Sequence, residues 1–120
     1  MVISGTVQVE WQKCDGGSGW CQLADVNLVS IANGDGVYII WTDHGRVVYV
    51  GQGLIRDRLQ AHRDDPRIQQ FSGGGLWVTW AFLSDPATRD GIERHLADQF
   101  LPAVGEAHPR VFPLAVNHPQ

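Results

Sequence analysis

No stretch of this chain approaches the roughly 20 consecutive apolar residues that a membrane-spanning helix needs. The N-terminal MVISGTVQVEW has neither the basic flank nor the apolar core of a signal peptide. Both absences speak against a membrane role, and the cytoplasm is the expected compartment. Cysteine is scarce. Cys14 and Cys21 stand in CDGGSGWC with no second pair and no clustered histidines, so the ligands of a structural zinc site are lacking. Two free thiols are expected, with a local disulfide or a shared metal as the alternatives. Arginine supplies eight of the nine basic residues, and the net charge is −4. That balance counts against a partner held by bulk electrostatics, because nucleic acids are bound by cations that neutralise phosphates. No internal repeat or low-complexity tract occurs, and 120 residues suit one domain with one core.

What the chain does contain is locally organised. Arg46, Arg56, Arg58, Arg63 and Arg67 face only Asp57, Asp64 and Asp65 across residues 46–67, so a basic patch can exist on an acidic protein. The planar fork of arginine suits bidentate phosphate contact, although a solvated face explains the charges alone equally simply. TVQVEW (6–11) alternates polar residues with Val7, Val9 and Trp11, as a half-buried strand does. After the turn-rich NGDG, residues 36–53 read GVYIIWTDHGRVVYVGQG, two strands around TDHG with Gly45 suited to positive φ. If Trp41 pairs with Arg46, Tyr38 faces Tyr49 directly, on one side with Ile40 and Val47. Val37, Ile39, Val48 and Val50 then line the other.

Helical spacing of Ile55 and Leu59 predicts a helix over 54–64, with Arg58 and His62 one turn apart. Asp65-Pro66 breaks it, RIQQF adds a turn, and LWVTWAF (76–82) reads as a third strand covered on both faces. Asp85 as N-cap and Pro86 at the first position open a last helix, striped by Ile92, Leu96 and Phe100 and ended by Pro102. Glu93 borders its inward face, where a carboxylate needs a cation or metal; Arg89 is the simplest structural partner. The five tryptophans are expected in the core rather than as base-stacking platforms. His95, two residues past Glu93, is expected to be solvated, and His44 to sit in a surface loop.

Together these residues resemble the GIY-YIG nuclease domain. The two name motifs stand as Gly36-Val37-Tyr38 and Tyr49-Val50-Gly51. Arg58-Leu59 follows in the next helix, His62 lies four residues beyond the arginine, and after a third strand comes a helix with Glu93 and, nine residues on, Pro102. The resemblance spans 36 to about 105. Gly105 stands where many members have asparagine, for which Asn117 could substitute if the tail folds back. Gln52 replaces a lysine frequent in the repair enzyme of the family. Arg58 lies one residue nearer to Gly51 than in that enzyme, which leaves Arg56 as the less favoured alternative to it.

The resemblance implies an α/β fold with a small central, mainly antiparallel three-stranded sheet flanked by helices. This chain would add an N-terminal extension with a strand (1–35) and an extended tail (106–120). It also implies hydrolysis of nucleic-acid phosphodiesters, DNA rather than RNA, with one Mg2+ or Mn2+ held by Glu93 and completed by waters and phosphate oxygens. Arg58 would clamp the phosphate. One tyrosine, Tyr38 in first place with Tyr49 in support, would take the proton of the attacking water, assisted by its neighbour, His62 or an ordered water. Asn117 completes the implied catalytic set, and Gly51, Gln52, Arg56 and Arg63 are the implied nucleic-acid contacts. Targeting would fall to a homodimer, a partner protein or the N-terminal residues. A catalytically inactive relative serving as a nucleic-acid or protein binding module is the alternative.

Overall fold

The protein is described by a computed structural model covering residues 6–105 and 108–119, with Asp15 described by its backbone only. Residues 1–5 of the N-terminal extension and 106, 107 and 120 of the tail lie outside it. The sheet has four antiparallel strands in the order β1-β4-β2-β3: β1 (Cys21–Gln22), β2 (Asp35–Thr42), β3 (Val47–Leu54) and β4 (Leu76–Phe82). Helices α1 (Ile55–Arg63) and α2 (Pro66–Gln69) lie between β3 and β4, and α3 (Pro86–Phe100) follows. The α/β fold expected from the sequence is therefore the one observed.

β2 forms the centre because its side chains are apolar on both sides, and residues 36–40 are buried throughout. Tyr38 and Ile40 join Ile55, Leu59 and Ile68 in a core beneath α1 and α2, which residues 21–28 complete. Val37 and Ile39 point the other way, into a core with Ile92 and Leu96 of α3, Trp11 and Val116. Glycine stands at position 36, the second residue of β2, because a Cβ there would collide with the Ala81 carbonyl oxygen of β4. α3 begins as anticipated: Asp85 accepts from the Thr88 amide at 3.0 Å, with Pro86 at its first position.

Three expectations are corrected. First, the hairpin register is offset: Trp41 pairs with Val47, Ile40 with Tyr49 and Tyr38 with Gly51, with a bulge between Ile40 and Trp41. An extra residue on one strand reverses the side-chain alternation locally. Val48 accordingly packs in the tyrosine-side core and Val47 on the α3 side. The tyrosines keep a common face because their pairing moved by an even number of residues. Second, TVQVEW is not a sheet strand. Val7 makes one parallel bridge to Val116, with the Val7 amide donating to Ala115 and the Asn117 amide to Val7. The added strand is Cys21–Gln22, paired with Val78 and Trp77. Third, Cys14 and Cys21 are joined in a disulfide. Burial of Cys21 on the β1 edge and the turn through DGGSG bring the two sulfurs together.

Candidate active site

Tyr38 and Tyr49 project beneath α1 and stack diagonally, ring centroids 5.9 Å apart and planes 13° from parallel. Arg58 and His62, one turn apart on α1, reach the same rings. The Tyr38 hydroxyl and His62 Nε2 are hydrogen-bonded at 2.6 Å, and the His62 ring lies 4.4 Å from that of Tyr49. Arg58 lies beside both phenols, and their proximity raises its pKa. Gly51 permits the stack: it stands opposite Tyr38, and a Cβ there would lie 2.5 Å from the Tyr38 oxygen and 2.8 Å from Tyr49 Cε1. Gly53, at φ 135°, lets the stem of Arg58 lie against the strand end.

Glu93 arrives from the opposite face of the sheet. β3 is an edge strand, so a side chain from α1 and one from α3 can meet beyond it. Ala103 and Val104 donate to the Val47 and Val48 carbonyls, covering the first part of that edge. Beside Tyr49–Gln52 opens a cleft of about 140 Å³ lined by Tyr49, Gly51, Gln52, Arg58, Glu93 and His108. Glu93, only 7% exposed, is its sole carboxylate among the described residues. The partner of Glu93 is His108, Nδ1 to Oε2 at 2.8 Å, and not Arg89. Arg89 instead donates to Gln52 Oε1 and to the Leu83 and Ser84 carbonyls, while Gln52 donates to Asp90 at 2.6 Å. Gln52 thus forms the cleft wall by tying the edge strand to α3.

The electrostatics separate the two phenols. Burial pushes the Tyr38 pKa far above the ordinary tyrosine range, and its hydrogen bond with Arg58 offsets only part of that rise. The pKa of Arg58 is raised, first by the Tyr38 hydrogen bond, so its charge is secure. Tyr38 has no exposed surface and does not line the cleft; Tyr49 does. The Nε of Arg58 is buried with no hydrogen-bond partner among the described residues, a donor in want of an acceptor.

Several other residues singled out in the sequence have different engagements. Arg56 donates to the Ile31 carbonyl, and Arg63 to those of Leu23 and Val26. Both guanidinium groups clasp the irregular segment before β2, whose carbonyls lack strand partners. Arg67 pairs with Asp65 at 2.9 Å. Of the anticipated basic patch, Arg58 lines the cleft, while Arg46 lies over the Phe71 ring. Asn117 is spent on Val9, accepting from its amide at 2.7 Å and donating to its carbonyl at 3.0 Å, and it is absent from the cleft lining. His95 is half-buried against His118 rather than solvated. His108 is the cleft residue that sequence reasoning missed: it lies in an irregular tail, where no periodicity relates it to Glu93.

No family model matches the chain, and no curated protein matches it significantly. Among the described residues no helix is long and apolar enough to cross a membrane, and no three His, Cys, Asp or Glu side chains gather to hold a metal.

Proposed function

We propose that the chain is a GIY-YIG-type, metal-dependent nuclease that hydrolyses nucleic-acid phosphodiesters, DNA in preference to RNA. The observation that carries this reading is the convergence of Tyr49, Arg58 and Glu93 on one cleft. Arg58 would receive a phosphate oxygen through charge-assisted hydrogen bonds that strengthen as charge builds on the phosphate. Tyr49, on the cleft wall, is the phenol positioned to take a proton from an attacking water. Tyr38 and His62 act behind it as support, because burial keeps the Tyr38 hydroxyl protonated and leaves no phenolate there to take a proton.

A hard carboxylate oxygen fits Mg2+ or Mn2+, which keep most of their waters and need few protein ligands. Glu93 would hold the ion, and the His108 Nδ1–H would fix the carboxylate's orientation from behind. When bound, the ion supplies Lewis-acid stabilisation of the phosphate and leaving oxygen. Cytoplasmic residence belongs to this proposal, and the Cys14–Cys21 bond is the observation against it, since such bonds persist chiefly in oxidising compartments. Targeting through a second copy or a partner protein belongs to it as well.

The test is cleavage of plasmid, linear, branched and single-stranded DNA, and of RNA, with magnesium or manganese, by wild type and Glu93→Ala. Metal-dependent cutting that falls by at least about a hundredfold in the variant is expected. Undiminished cutting by Glu93→Ala removes Glu93 from the mechanism. Silence of folded wild type on every substrate favours the second reading, a non-catalytic binding module. The engagement of Arg56 and Arg63 with the chain's own carbonyls, which leaves little free cationic surface near the cleft, supports that second reading.

A further inference from the structure

His95 and His118 form a pair that the cleft does not use. His95 lies on α3 and His118 in the tail, and their Nε2 atoms face each other at 3.1 Å. Both side chains are half-buried. The position of each ring is fixed by its surroundings. His95 belongs to the helix, and Phe100 packs against His118 with centroids 5.0 Å apart. The residue before His118 is anchored as well: Asn117 exchanges two hydrogen bonds with Val9, and its carbonyl accepts from Trp11 Nε1 at 2.7 Å.

We infer that His95 and His118 are a two-imidazole site for a zinc-type divalent transition metal, with waters completing the coordination. Zinc binds imidazole nitrogen at about 2.0–2.1 Å, so two nitrogens 3.1 Å apart subtend about 100° at the metal, close to the tetrahedral value. The rings therefore already stand at ligand spacing. Without metal, one Nε2–H can serve as donor to the other nitrogen. With metal, both rings ligate through Nε2 as their Nδ1–H tautomers, and no net proton release is needed. Imidazole selects zinc, nickel or copper over magnesium, which prefers oxygen donors, so this site and the Glu93 cleft call for different ions. Ordering has largely been done by the fold, and a bound ion would staple the tail to the helix that carries Glu93.

The test is calorimetric titration of zinc chloride into the whole, disulfide-bonded chain, with wild type, His95→Gln, His118→Gln and His108→Gln compared in the absence of chelators. One zinc site is expected in wild type and in His108→Gln. Affinity should fall by roughly tenfold or more in the other two variants, as loss of a ligand should cost at least what loss of an outer-shell partner does. Zinc should also raise the melting temperature of wild type and not that of His118→Gln. No zinc binding by wild type, or equal binding by wild type and His118→Gln, overturns the inference, as does loss of binding only in His108→Gln. His118 lies outside the regular elements, so its variant remains decisive if His95→Gln does not fold.

Discussion

Replacing Gly51 by alanine should destabilise the protein and disturb the cleft through one added methyl group. The new Cβ would stand 2.5 Å from the Tyr38 oxygen, 2.6 Å from Tyr38 Cζ and 2.8 Å from Tyr49 Cε1. All three distances are well inside van der Waals contact. Tyr38 cannot yield easily, being without exposed surface and hydrogen-bonded to His62. Overpacking a filled core costs about 1–3 kcal/mol, and a displaced phenol would weaken a hydrogen bond worth about 1 kcal/mol, for about 2–4 kcal/mol together. Unfolding 120 residues carries an entropy of about 0.25 kcal/mol/K, so the melting temperature should fall by about 8–16 °C. Circular dichroism melts of wild type, Gly51→Ala and Gly73→Ala would show it. Gly73, whose Cβ would meet nothing within 4 Å, is the control for the general effect of the exchange. A Gly51→Ala protein melting within about 2 °C of Gly73→Ala would refute the reasoning that Gly51 exists to admit the phenol.

Reducing the Cys14–Cys21 disulfide frees a short loop, and the loop entropy gained by the unfolded chain should lower stability by about 2 kcal/mol in urea titrations with and without reductant; coincident curves would count against a structural role. Arg63→Met removes two hydrogen bonds to the segment before β2, so stability should drop by about 1–3 kcal/mol and amide exchange should quicken around residues 23–26. Unchanged stability with weakened nucleic-acid binding would instead restore Arg63 as a phosphate contact. Tyr38 also predicts an alkaline limit. Its folded pKa is raised, so the stability it contributes is complete below the unfolded value of about 10 and is lost as pH rises above it. In Tyr49→Phe, which leaves Tyr38 as the one tyrosine, the tyrosinate absorbance should develop only with alkaline unfolding. Ionisation near pH 10 in the folded protein would contradict the burial argument.

Much of the framework was legible because it is written in short-range patterns. β-Branched, apolar runs on either side of TDHG marked β2 and β3, a continuous apolar run marked β4, and Asp85-Pro86 marked the start of α3. Helical spacing also put Arg58 and His62 on one side of α1, and the even parity of the strand offset kept Tyr38 and Tyr49 together even though the pairing was displaced. Sequence by itself thus determined β2, β3, β4 and the helices, though not β1, and it put Tyr38 and Tyr49 on one face. Tertiary structure alone decided what those side chains meet. Charge type could not tell that Arg56 and Arg63 would satisfy backbone carbonyls, since a guanidinium serves a carbonyl and a phosphate equally well. No local rule brought His108 to Glu93, His118 to His95 or Asn117 to Val9, because each depends on the tail's path across α3 and the N-terminal segment. The bulge at Val48, which exchanges the faces of two adjacent valines, is likewise a compromise between loop geometry and two competing cores. Such contacts are fixed by long-range packing, where the energy of each choice depends on every surface brought to it.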